Sequence, residues 1–512
     1  MEEEQKNNSV NPSRRSFLKN ASLAVGGAVI GGGILNDLLS GKALAADKSS
    51  VDKVKPKDLE TEARFLVKNG LVITLEKSDP DFMKADILVE NGKITAIKPN
   101  IDISGIQVID ASGMIVMPGF VDTHRHVWEA LVRGIGTDWS IATYLNTIYF
   151  QELGGKLRPE DSYIADLLGA LEALNAGVTT MLDWTAINTP EHADALIQGL
   201  KESGIRGVFA HGTPITNITT YWAPDSTNMH PLDSRRIKKQ YFSSDDQLLT
   251  MALAIRGPEF VSIDVTRKDI MLARELGAIA SMHVGVGIAG VQKKPVLQLR
   301  DANLLGPDLN FVHATTLTDE ELMLIGQSGG SLSSTPEVES QMGHGWTAVG
   351  RYISQGYRPS LGVDVVVSTG PDMFSQMKFA LQVTRAIENA KILESGKDVA
   401  QLHLSAKDAL EFATIEGARA LHLDRKIGTL APGKEADMIF VRTTDLNLTP
   451  VNNPIGLATL CANPSNIDSV FVAGKAMKRN GKLLNVDLDR VRRLASASAE
   501  YVLNAFGPTP RF

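Results

Sequence analysis

The sequence predicts an α/β chain in which a (β/α)8 TIM-like barrel carries a small β domain, and three observations predict it. From residue 115 onward a short apolar strand followed by a helix of period near 3.6 recurs eight times. Polar residues suited to chemistry cluster at the C-terminal ends of those strands, where the βα loops of such a barrel converge. The stretches before and after the repeats alternate with period two and carry NG turns, as short antiparallel strands do.

Residues 1–45 come first and read as an address. SRRSFLK at 13–19 precedes the apolar, glycine-rich run ASLAVGGAVIGGGIL and a small-x-small site at 43–45. Those are the parts of an export signal, and the pair Arg14-Arg15 before Phe17-Leu18 resembles the twin-arginine type. The expected route is the twin-arginine export machinery, which carries folded proteins to a periplasmic or extracellular location. The apolar run of about 15 residues falls short of the ~20 a spanning helix needs, so no stable membrane anchor is expected after cleavage. Residues 46–61 are a polar linker.

Residues 62–117 supply the first part of the β domain and 426–490 the second. Each alone is too small to bury a core comfortably, which favours one domain built from both. Between them, at 118–425, lies most of the barrel. Its expected strands are 115–121, 178–183, 206–211, 249–255, 278–284, 309–314, 329–335 and 358–364, with the clearest helices at 160–176, 190–203, 267–277 and 318–327. Residues 491–512 form a C-terminal helix and tail.

Composition narrows the chemistry. Hydrophobic residues at 43% and charged residues at 22% describe an ordinary globular chain. The net charge of −7, with Lys and Arg scattered, argues against nucleic acid as a partner. A single cysteine, Cys461, excludes an intrachain disulfide and any multi-cysteine metal site. Ten histidines remain. Strand one ends in Asp122-Thr123-His124-Arg125-His126, strand three at His211, strand five at His283, strand six at His313 and strand eight at Asp364. A buried strand gains nothing from a terminal histidine unless the ring finds a partner. His124 and His126, two apart, point to the same side. With His283 and Asp364 they make three nitrogens and a carboxylate, a set that suits one divalent metal, Zn(II) or Fe(II).

PGFVDTHRH (118–126), GVTTMLD (177–183), SMHVG (281–285), FVHATTLTDEEL (311–322), LGVD (361–364) and IGTLAPGKEADMIF (427–440) follow one another across nearly the whole chain after residue 61. In that order they resemble the amidohydrolase superfamily, and within it the cytosine-deaminase-like branch of triazine hydrolases and aromatic deaminases. The resemblance implies that the two flanks fold together as a β-sandwich beside the barrel. It implies a mononuclear site with His124, His126, His283 and Asp364 at the metal and His313 beside the attacking water. Binuclear relatives carry a bridging lysine at the end of strand four, where this chain has Arg256. It also implies homo-oligomers only by analogy.

Two departures stand out. The branch places a glutamate three residues after the strand-five histidine, as the proton carrier, and this chain has Val286. Many relatives have a histidine where this chain has Thr316. A departing nitrogen still needs a proton. His313 and Asp364 rank first for that task, and Glu339, from the segment SSTPEVESQMGHG after strand seven, ranks third. Trp128, Arg256, His211, Glu337 and His344 are the expected substrate-contacting residues, with Glu129, Arg133, Trp139 and Tyr144 nearby. The expected function is exported, metal-dependent hydrolysis of a C–N bond in a small molecule. An amide, lactam or cyclic ureide is favoured over deamination of a heterocycle because of Val286, and dechlorination stays open. The alternative from another class is a silent barrel that binds a small ligand.

Overall fold

The computed structural model describes residues 64–216 and 218–507. The expected export signal and linker therefore lie outside the described residues, as does the end of the tail. No helix among the described residues is long and apolar enough to cross a membrane.

Eight parallel strands form the barrel wall: Phe120–Arg125, Val178–Trp184, Arg206–His211, Leu249–Ile255, Ile279–Val284, Leu309–His313, Ser331–Ser334 and Ser360–Leu361, each hydrogen-bonded to the next. They are numbered one to eight below. Strand eight closes on strand one through the bridge between Arg125 and Asp364, where the Asp364 amide donates to the His124 carbonyl and the His126 amide to the Asp364 carbonyl, both at 2.9 Å. Side chains hold this seam as well. Asp122 accepts from the Val363 amide at 3.1 Å and from Arg125 Nε at 2.7 Å, and the Thr123 hydroxyl donates to the Leu361 carbonyl at 2.9 Å. Gly362 is obligatory here, since a Cβ would lie 2.7 Å from the His124 carbonyl oxygen.

The outer helices begin where local chemistry lets them begin. Thr318 and Glu321 make a reciprocal capping box for Asp319–Gln327, Ser262 caps Ile263–Glu275, and Asp372 caps Met373–Glu394. Pro190–Ser203 starts on a proline and stops at Gly204, which adopts the left-handed conformation.

The flanks do pair with each other. Hydrogen bonding runs through nine strands drawn from 64–118 and 438–483, and the ladder branches at Arg64–Val72, whose first half pairs with Gln107–Asp110 and second half with Met114–Pro118. Their shared core includes Phe65 and Phe471, stacked with centroids 5.3 Å apart. One boundary differs from expectation. The stretch 115–121 is not a single strand: Met114–Pro118 pairs antiparallel with Met438–Arg442 in the flanking sheet, and barrel strand one begins at Phe120. Gly119 makes the break, at a point where a Cβ would sit 2.2 Å from the Thr179 side chain.

Candidate active site

Four ligand-type side chains converge at the closing seam. His124 Nε2 lies 3.2 Å from His283 Nε2 and 3.2 Å from Asp364 Oδ1; His126 Nε2 lies 3.4 Å from His283 Nε2 and 3.5 Å from Asp364 Oδ1. Ligand atoms held about 2.0–2.1 Å from a tetrahedral cation stand about 3.3 Å apart, so this spacing fits one divalent ion. The protonation states agree. Burial drives the His126 imidazole down to about 3 and His283 well below its ordinary value, with neighbouring histidines adding to both. Burial opposes ionisation of Asp364, but the His124 hydrogen bond and the charges of His313, His124 and His126 outweigh it and hold the carboxyl well below its ordinary range. The neutral rings of His126 and His283 and the ionised carboxylate of Asp364 are the forms in which such groups bind a cation.

His313 borders this cluster. Its Nε2 is 3.8 Å from Asp364 Oδ2, while its Nδ1 meets the Thr335 hydroxyl at 3.1 Å. Burial pulls its pKa down, yet Glu339, Asp364 and Glu259 together leave it raised. His313 and Asp364 both adopt left-handed backbone, with φ of 73° and 69°, a conformation costing of order 1–3 kcal/mol at a non-glycine residue. The two side chains that face each other across the cluster are thus aimed by strained backbone at the ends of strands six and eight.

A cavity of about 690 Å³, counting its mouth, opens over the cluster and is floored by His126, His283, His313, His344 and Asp364. His344, between two glycines of positive φ, meets His313 edge to face at 4.7 Å, and burial holds its ring down to about 3. Neither ring nitrogen has a hydrogen-bond partner among the described residues, although His344 is only 2% exposed. Val286 lines the cavity. Trp184, ending strand two, packs against His283 at 4.6 Å and His126 at 5.0 Å.

Several expected contacts are not made. Arg256 is buried and turned from the cavity; its guanidinium pairs with Asp269 at 2.8 Å and donates to the Tyr221 and Asn228 carbonyls, because a buried charge must find partners. His211 is paired through Nδ1 with His230 Nε2 at 3.0 Å and does not line the cavity. Trp128 packs behind Tyr149 and His126. Glu337 faces the helix Met373–Glu394, accepting from Thr369 Oγ1 and Gln376 Nε2, each at 2.7 Å. Glu339 does not reach the cavity either. It accepts from Ser334 at 2.9 Å and the Thr335 amide at 2.6 Å, standing behind His313 with Oε1 3.7 Å from Nδ1, so its place is that of a positioning group rather than a proton carrier to substrate. Arg133 is spent in an ion pair with Glu172.

Other residues at the site were not anticipated in these roles. Glu259, after strand four, accepts from the Gly285 and Val286 amides at 2.6 and 3.1 Å and so fixes the turn behind His283. Burial pushes its carboxyl up to about 7 despite those hydrogen bonds. The segment RGPE after strand four was its only signal. Glu129 accepts from the Tyr144 hydroxyl at 2.7 Å in a buried pocket that raises its pKa well above the ordinary value.

Comparison with known proteins agrees with this fold. The model of the Amidohydrolase family matches residues 115–477. The chain belongs to that family. It is similar to the 5-methylthioadenosine/S-adenosylhomocysteine deaminase of Thermococcus onnurineus, 28% identical over 82% of this chain and 95% of that protein. It is similar also to the 5'-deoxyadenosine deaminase of Methanothermobacter thermautotrophicus, 27% identical over 81% of this chain and 94% of that one. Among solved structures, a zinc-bound adenosine deaminase from Xanthomonas campestris superposes with a TM-score of 0.75 at 22% identity, covering 86% of this chain and 98% of that one. The atrazine chlorohydrolase of Arthrobacter aurescens, complexed with zinc and atraton, gives 0.73 at 20% identity, covering 85% and 100%.

Proposed function

We propose that the protein uses one divalent cation, zinc before iron, to hydrolyse a C–N bond of an amide, lactam or cyclic ureide. The observation that carries this reading is the convergence of His124, His126, His283 and Asp364 at the seam with His313 alongside. A cation held there would supply Lewis acidity and lower the pKa of water at neutral pH. The chain's residues do the rest. Asp364 Oδ2, the oxygen nearer His313, accepts the proton of the attacking water. His313 Nε2 carries a proton to the departing nitrogen, while Thr335 and Glu339 hold the ring through Nδ1. His344 offers a neutral ring to the polar edge of the substrate. A silent binding barrel has no use for ligand-ready side chains beside such a proton carrier.

A second reading, deamination of an N-heterocycle, is supported by the names of the similar deaminases. Among the described residues no glutamate lines the cavity, which favours the amide reading. Product analysis of zinc-loaded protein separates them. The amide reading expects a new carboxylate, and ammonia released from an exocyclic ring amine with no carboxylate formed contradicts it. We further propose, on Arg14-Arg15 and the run that follows, that the twin-arginine route exports the chain to the periplasm or beyond. Arg14→Lys with Arg15→Lys should hold it in the cytoplasmic fraction, and unchanged export would reject that proposal.

A further inference from the structure

The cavity separates its polar and apolar parts sharply. The histidines and the carboxylate that line the cavity lie on its floor, while Leu145, Phe150, Ile218, Trp222, Phe260 and Met342 make the wall and mouth. Two tyrosines also face the cavity, but their hydroxyls are engaged elsewhere: Tyr144 donates to Glu129 at 2.7 Å and Tyr149 meets His126 Nδ1 at 3.4 Å. Among the described residues, no Asp, Glu, Asn, Gln, Arg, Lys, Ser or Thr side chain lines the wall. Two groups are left to satisfy among the described residues: the Trp222 indole N–H of the wall, a lone donor, and His344 on the floor, a buried neutral ring with one donor and one acceptor nitrogen.

We infer that the substrate carries a single polar edge on an apolar body: an aryl- or alkyl-substituted cyclic amide or heterocycle, and not a nucleoside or other polyhydroxylated compound. This deepens the C–N hydrolase reading and rests on it for the reacting bond. The polar edge meets His344 and the metal cluster, and the body lies against the aromatic and aliphatic wall. A ribose in the same place strands hydroxyls against carbon, and each such hydroxyl costs roughly tenfold in affinity. An apolar substituent instead gains by leaving water. The chain thus parts from relatives named for 5'-deoxyadenosine and 5-methylthioadenosine, whatever bond it shares with them.

The test is calorimetric binding to the full-length, zinc-loaded protein of two matched pairs, 5-phenylhydantoin against allantoin and 9-benzyladenine against adenosine. Each pair shares its reacting ring and differs in the substituent. The expected result is at least tenfold tighter binding of the phenyl and benzyl members. Phe260→Gln should shrink that preference several-fold with metal content unchanged. Equal or tighter binding of allantoin and adenosine overturns the inference, as does failure of all four to bind. Product assays on the same samples keep the two claims apart. Apolar ligands that bind in the expected order without any C–N bond being cleaved support the ligand class and sink the hydrolase reading.

Discussion

Two buried polar clusters crown this barrel, and they are built from the same kinds of residue. At strands one, five, six and eight, His124, His126, His283, His313 and Asp364 converge on a point and border a cavity. At strands three and four, His211 pairs with His230, the His230 amide donates to Asp269 at 2.7 Å, and Asp269 pairs with Arg256. The second cluster pairs its members with one another and ties the Tyr221 and Asn228 carbonyls to the barrel, although His211 Nε2, His230 Nδ1 and Arg256 Nε are left without a partner among the described residues. The first leaves its ligand atoms facing one another at 3.2–3.5 Å with no cation of the protein's own between them. A histidine at a strand end therefore marks a candidate, and convergence of several ligand atoms on one point beside a cavity decides whether it is structure or site.

The contrast can be broken most severely at the first cluster. His124→Ala should lower kcat by about 10³-fold or more, measured on whichever substrate the product screen yields. His313→Gln follows, with a loss of about 10²–10⁴-fold in kcat and retention of metal, since it removes proton transfer and leaves the ligands in place. At the second cluster the sign of the effect changes. Arg256→Met should cost about 3–5 kcal/mol of stability by stranding the Asp269 carboxylate, yet leave kcat per folded molecule within a few-fold of the parent; denaturant titration beside activity reads both. The smallest effect sharpens the comparison from behind His313. Glu339 contributes to the raised pKa of that ring. Glu339→Gln removes that contribution, so the pH–rate limb belonging to His313 should move to lower pH, with the maximal rate changed less than in His313→Gln. A limb that stays put denies Glu339 its positioning role.

Much of the barrel was legible because each strand is a short apolar run and each helix carries its own start signal, such as Thr318 with Glu321 or Pro190 with Gly204. Strand one was misplaced because Met114–Pro118 and Phe120–Arg125 are equally apolar neighbours, and only the pairing with Met438–Arg442 divides them. The grouping of His124, His126, His283 and Asp364 was legible for the opposite reason: strand ends of one barrel meet at one rim. Arg256, His211, Glu337 and Trp128 were not, since their partners Asp269, His230, Gln376 and Tyr149 come from helices and loops whose approach no local pattern encodes. Glu259 escaped for the same cause, because it bonds backbone amides of another loop and leaves no mark in its own segment.

The most direct measurement is metal per chain, by elemental mass spectrometry, in the parent protein, His283→Ala and His211→Ala. The parent should hold about one divalent ion, His283→Ala should lose it, and His211→Ala should keep it. Metal that persists in His283→Ala, or that disappears with His211, would contradict the division between a converging site and a paired structural cluster.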